Sequence, residues 1–298
     1  MGRFINPFTD WGFKKIFGQE ITKDLLIDFL NGLLVDEKQI KDITFLDKEI
    51  LPEYQEERGV IFDIYCKAES GEEFIVEMQN KQHIHFKERA LFYLSRNLTR
   101  QGEKGAEWQF NLKAVYGVFF MNFRLDDLPG KLRTDVVLAD RDTHELFSDK
   151  LRLIFLELPA FDKEENECET DFERWIYVLT NMDKLNRMPF KARKAVFEKL
   201  EKIVDIASLS KEERVKYDES IKVYRDNLVT MAYAEQKGRV EGREEGRAEG
   251  LEEGLAKGLE KGLAKGRIEL ARNMKSMGLS NEVIMQATGL SEEDIESL

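Results

Sequence analysis

The sequence predicts an α/β fold: a central sheet flanked by helices, followed by a helical C-terminal extension. Three observations predict it. Apolar runs of strand length fall between residues 42 and 158, and apolar stripes of helical spacing precede, interrupt and follow them. After these, glycine recurs at every fourth residue from Gly238 to Gly266.

Taken in order, Phe13 and Phe17 at spacing four predict a short helix over Trp11–Phe17, opened by a small polar cap in Thr9-Asp10. Residues 21–34 put Leu25, Leu26, Phe29, Leu30, Leu33 and Leu34 on one stripe, a core-facing helix. Strand-like runs follow at 42–51, 60–67 and 73–79, with Ser70-Gly71 as a hairpin turn between the last two. Residues 83–101 return to helical spacing with Leu91, Leu94 and Leu98 as the apolar side, then 115–123 and 151–158 read as buried strands. From Asp171 to Gln236 the pattern is mostly helical, including 192–206 and a long helix after Ser210.

The expected organisation is a domain over 1–232, the glycine repeat over 233–268 and a small helical module over 269–298. The repeat has two readings. As a helix, its glycine and leucine stripes drift about 40° per step and suit close helix pairing, which would make the chain a homo-oligomer. Eight glycines disfavour an isolated helix by roughly 6 to 8 kcal/mol relative to alanine, so a frayed, charge-balanced linker is the other. In the last module Gly278-Leu279-Ser280 and Gly289-Leu290-Ser291 each end one helix and start the next, with Ser291 to Asp294 at capping-box spacing. Its outline suggests a helix-turn-helix, yet the acidic segment Glu292–Glu296 is a poor groove reader, so a protein-contact module is expected.

Composition narrows the class. No apolar stretch is long enough to span a membrane and no signal-peptide core opens the chain, so a cytoplasmic protein without membrane contact is expected. Cys66 and Cys168 stand far apart, which argues against a disulfide framework or zinc site. His83, His85 and His144 have no other ligands nearby in the sequence and read as surface residues. The net charge of -12, from 46 Lys plus Arg against 58 Asp plus Glu, repels a polyanion unless basic residues gather locally.

The chemistry lies between Val60 and Lys81. Strand alternation sets Phe62, Ile64 and Cys66 on one side with Asp63 opposite, and Val76 and Met78 on one side with Glu77, Gln79 and Lys81 opposite. Paired as a hairpin, the strands bring Asp63 and Glu77 out together. Two neighbouring carboxylates are hard oxygen ligands suited to Mg²⁺ or Mn²⁺, and such an ion would activate water against a phosphodiester. The plainer reading is an acidic patch on a solvated strand. On the next helix Arg89, Tyr93, Arg96 and Arg100 share a face that could grip DNA phosphates, or be simply a solvated basic face. Asp10 reads as a helix cap and Glu157 as structural; Glu49 carries no assignment.

Asp10-Trp-Gly-Phe-Lys-Lys-Ile-Phe-Gly18, the Asp63 strand, Ile75-Val-Glu77-Met-Gln79, Arg89-Ala-Leu-Phe-Tyr93 and Phe155-Leu-Glu-Leu-Pro159, in this order over residues 4 to 232, resemble the PD-(D/E)XK nuclease family transposases, or Rpn recombination-promoting nucleases. The resemblance implies a restriction-endonuclease-like core with a central mixed sheet and metal-dependent DNA cleavage. By position it makes Asp63 and Glu77 metal ligands and Gln79 a third catalytic residue, where the wider superfamily has lysine. A neutral amide cannot supply that lysine's charge, and Lys81 is either its substitute or an ordinary solvated lysine. Two functions follow: a Mg²⁺-dependent DNA endonuclease of recombination-promoting type, or a non-catalytic interaction scaffold that keeps the nuclease-like sheet and associates through its tail.

Overall fold

The computed structural model describes residues 2–50, 60–102, 109–125 and 130–298. They fall into two units, Met1–Arg225 and Asp226–Leu298. The first holds strands β1 (Ile43–Phe45), β2 (Glu49–Ile50), β3 (Val60–Ile61), β4 (Ile64–Ala68), β5 (Glu73–Gln79), β6 (Val115–Met121), β7 (Arg133–Ala139) and β8 (Leu146–Glu157). Six of them form one mixed sheet in the order β1-β4-β5-β6-β8-β7, while β2 and β3 pair apart. The centre, β5-β6-β8, is parallel; β1, β4 and β7 are added antiparallel. β6 reads Val-Tyr-Gly-Val-Phe-Phe-Met because a central strand covered on both faces must be apolar on both.

Helices α1 (Asp10–Phe17), α2 (Lys23–Leu33), α3 (Phe86–Arg100), α4 (Asp171–Asn181) and α5 (Ala195–Val204) cover the sheet. Phe13, Phe17 and Phe29 from α1 and α2 meet Phe120 of β6, the Phe29 and Phe120 rings 5.0 Å apart, and Trp175 and Phe197 from α4 and α5 extend the same core. On the other face Phe86, Ala90 and Leu94 of α3 pack on Ile75, Phe119 and Phe155. Gly117 permits this close approach: a Cβ there would lie 2.6 Å from Leu94 Cδ1. α4 starts from a capping box, in which Thr170 Oγ1 accepts from the Glu173 amide at 3.1 Å and Glu173 returns the bond. Thr170→Ala is expected to lower stability by about 1 kcal/mol, read as a fall of roughly 2 to 4 °C in melting temperature.

Four expectations are corrected. The runs at 42–51 and 60–67 are each broken into two strands, residue 51 itself lying outside the described residues. Phe62 packs with Tyr65 and Tyr93 on the α3 face rather than beside Ile64 and Cys66, because its amide donates to Lys48 O while Ile64 pairs with Val76: the chain changes partner between them. Leu91 is 48% exposed, and the buried stripe of α3 is Phe86, Ala90, Leu94 and Asn97 instead. β7, an edge strand with Val136, Val137 and Leu138 exposed, had no counterpart in the sequence reading, and β8 begins five residues before the expected start.

Helix α6 (Lys211–Ser276) continues through the whole glycine repeat, so of the two readings of that stretch the helix is observed. The second unit ends with α7 (Asn281–Thr288) and α8 (Glu292–Glu296), closed on Ala271, Ile284 and Ile295. Gly289 takes φ 68° after α7, and Ser291 with Asp294 forms the expected capping box. Among the described residues no helix is long and apolar enough to cross a membrane.

Candidate active site

The break between β3 and β4 creates the site. At Asp63 the chain leaves the β2 ladder and has not yet joined β5, so main-chain groups on both sides lose ladder partners. Two carboxylates replace them. Asp63 Oδ2 accepts from the Met78 amide at 2.9 Å, and Glu77 Oε1 accepts from the Asp63 amide at 3.1 Å. Asp63 therefore turns its carboxylate toward the β5 backbone at the strand end, and the two acids come together through reciprocal bonds rather than simple strand alternation.

Glu77 is 5% exposed and lies on the α3 side with Ile75. Burial, then the neighbouring Asp63 charge, pushes its carboxyl up to about 8. Asp63 is also raised, first by burial, against the lowering effect of its bond from Met78 and of Lys14. The Lys14 ammonium of α1 stands 3.8 Å from Asp63 Oδ1 and pairs with Asp10 as well. Thr9, not Asp10, caps α1, its hydroxyl accepting from the Gly12 amide; Asp10 sits in the first turn and pairs outward.

Gln79 links the acids to α3. Its Nε2 donates to Glu77 Oε2 at 3.0 Å and its Oε1 accepts from Arg89 at 2.7 Å. Only this orientation of the amide satisfies both neighbours, and a lysine here would face the Arg89 cation with nothing to accept it. Arg89 is fixed further by the rings of Phe86 and Tyr93, 5.7 and 5.9 Å from its guanidinium carbon. Arg89 thus brings its positive charge toward Glu77 through the Gln79 amide.

The other expected residues spread out from this centre. Arg100, eleven residues along α3, lines a cleft of about 750 Å³ at the start of β5 with Tyr65, Lys67 and Glu73. Arg96 and Tyr93 lie between, both half-buried. Lys81 lies past the end of β5, where strand alternation no longer fixes its side. Glu157 is fully buried, one oxygen accepting from the Leu125 amide at 3.3 Å and the other without a hydrogen-bond partner among the described residues. Lys14 was missed by sequence reasoning; its place four residues after Asp10 was the available signal.

Residues 7–234 match the family model of the PD-(D/E)XK nuclease family transposases. The chain belongs to that family. Residues 265–298 match a second model, the C-terminal helix-turn-helix domain of the Rpn/YhgA-like nuclease family. The helix-turn-helix outline of this module is thus matched by a family model, despite the acidic last segment. Glu292, Glu293 and Asp294 occupy the first turn of α8, where negative charge favours the helix dipole and Asp294 closes the cap, so helix initiation accounts for their acidity. No curated protein and no solved structure matched the chain.

PD-(D/E)XK nucleases typically use divalent metals. Among the described residues no group of three or more His, Cys, Asp or Glu side chains forms a ligand set. Asp63 and Glu77 nonetheless fit Mg²⁺ or Mn²⁺, which one or two carboxylates can hold with water and substrate phosphate. A cation between them would offset both the burial and the Asp63 repulsion that raise Glu77.

Proposed function

We propose that the chain is a Mg²⁺- or Mn²⁺-dependent DNA endonuclease of recombination-promoting type, with Asp63 and Glu77 as metal ligands. The observation that carries this is the mutually braced pair of buried acids, joined through Gln79 to Arg89, in a chain of this nuclease family. A divalent ion held by the pair supplies an activated water and a counter-charge for the phosphodiester. Gln79 keeps the Glu77 carboxylate turned toward Asp63, and Arg89 and Lys14 bring positive charge from opposite elements. Lys81 is a further source of charge at the same strand end. Arg89 to Arg100 covers about 16 Å of helix, long enough to reach several successive phosphates of a strand, with Tyr93 and Arg96 between. The helix-turn-helix unit supplies a second DNA contact, and the glycine-repeat helix associates two chains so that each strand of a duplex has its own centre.

Purified protein is expected to nick supercoiled plasmid with Mn²⁺ or Mg²⁺ and to stop on chelation. Intact plasmid at every metal concentration, with no Mn²⁺-dependent gain in melting temperature, would instead leave the scaffold reading, which the absence of a lysine at position 79 favours. Arg89→Met frees the Gln79 amide and is expected to slow nicking about tenfold, a loss of about 1.4 kcal/mol. Gln79→Lys added to Arg89→Met should recover part of it by placing a cation directly; no recovery in a folded double variant contradicts the relay.

A further inference from the structure

The cleft at the start of β5 is not explained by the acid pair. Glu73, in its lining, lies on the same side of the strand as Glu77, four residues or about 13 Å away. Asn97 of α3 also lines the cleft. It is 1% exposed, and neither its amide nitrogen nor its amide oxygen has a hydrogen-bond partner among the described residues. The buried Tyr65 and Glu73 in the same lining are satisfied by each other, the Tyr65 hydroxyl donating to Glu73 Oε2 at 2.6 Å. An amide buried with both ends unpaired destabilises a fold, and a ligand edge carrying one acceptor and one donor would restore both bonds. Three exposed cations, Lys67, Arg100 and Lys113, complete the basic part of the lining, none of them in an ion pair with a described residue. Lys113 is held in place: its amide donates to Gln101 Oε1 at 2.7 Å, and Gln101 Nε2 donates back to its carbonyl at 3.1 Å. Its side chain passes the turn at Gly71, where a Cβ would come 3.1 Å from Lys113 Cε. Asp47 and Glu49 line the same cleft and oppose a bare anion. The set calls for a ligand with a planar donor and acceptor edge, further N–H donors and one anionic group.

We infer that this cleft binds a single nucleotide unit, with the base edge against the Asn97 amide and the phosphate held by Lys67, Arg100 and Lys113. An asparagine amide can donate to a ring nitrogen of adenine while accepting from its amino group, so adenine is the base that it suits. The cleft volume of about 750 Å³ falls within the range of small-molecule sites. The unit is either a free nucleoside monophosphate or a nucleotide turned out of a DNA strand, because a base still stacked and paired in a duplex cannot reach a buried amide. The second source rests on the DNA cleavage put forward above, and adds that the substrate presents an unpaired adenine a short way from the cut.

The test titrates the full chain, with a chelator present so that no cleavage occurs, against each of the four deoxynucleoside 5′-monophosphates and against inorganic phosphate. The adenine nucleotide should bind about tenfold more tightly than the others, and phosphate alone more weakly than any of them. Asn97→Leu should erase that preference, leucine filling the same space without an unpaired amide. Lys113→Gln, at an exposed position where folding is little affected, should weaken all four alike, about tenfold. A short strand of thymines containing one adenine, compared with an all-thymine strand and with the same adenine paired in a duplex, separates the sources. Preference for the unpaired adenine assigns the ligand to a strand, and binding of the monophosphate without that preference assigns it to the free nucleotide. Folded wild-type protein that binds neither, equal binding of all four bases, or a base preference that Asn97→Leu leaves intact would overturn the pocket. Plasmid nicking is read separately: nicking without nucleotide binding removes the pocket alone, and nucleotide binding without nicking removes the cleavage alone.

Discussion

Asp63→Asn is expected to lower metal-dependent plasmid nicking by about a thousandfold or more, about 4 kcal/mol of lost transition-state stabilisation. The substitution is informative because of what Asp63 does besides chemistry. Its Oδ2 accepts the Met78 amide at the end of the sheet, and the asparagine oxygen can keep that bond while the charge is removed. Asp63→Ala removes both and adds about 1 to 2 kcal/mol of destabilisation from an amide left without its partner. Nicking rate and thermal melting are therefore measured on both variants. Near-normal cleavage by folded Asp63→Asn protein would reject the assigned centre.

The second large effect is on stability. Burial, then the Asp63 charge, raises the Glu77 carboxyl from an ordinary 4.5 to about 8 in the metal-free protein. Folding is favoured most below the ordinary value, and that contribution is lost as pH climbs through about 8. Asp63 shifts in the same direction. Melting temperature without metal should fall from pH 6 to pH 9, and Glu77→Gln should flatten the fall. The slope is the readout, since a glutamine at 77 turns an amide nitrogen toward Gln79 or Asp63 and has its own cost. Mn²⁺ at a hundredfold excess over its dissociation constant should add about 2.7 kcal/mol at pH 8 and clearly less at pH 6, where protons compete for the same oxygens. An equal gain at both pH values, or one that survives Glu77→Gln, would remove Glu77 from the ligand set.

Much of this was legible in the residues. The helix of Leu25 to Leu33, the β4-β5 hairpin and the capping box at Ser291 all follow from local rules, and local rules suffice where one stretch of chain makes the whole element. Most of the failures have one cause: they depend on a distant segment. Phe62 changes face because residue 48 claims its amide, and Leu91 is exposed because the sheet presents its groove to Ala90 and Leu94. β7 escaped because an edge strand needs no strong apolar pattern of its own. The acids at 63 and 77 were expected to meet by alternation; they meet because the strand is broken and their side chains replace its missing bonds. The linkage from Gln79 to Arg89 was outside any pattern, since it joins a strand end to a helix ten residues later.

The glycine-rich stretch of α6 has a consequence for how order is distributed along the chain. A segment that gives up roughly 6 to 8 kcal/mol of helix propensity, and whose leucines lie open to water, opens and closes more readily than the sheet does. Its amide hydrogens should be among the first to exchange with deuterated solvent, and proteases should cut there before anywhere in the sheet. Both should slow as protein concentration rises, which would make the winding of this segment a gauge of how many copies are present.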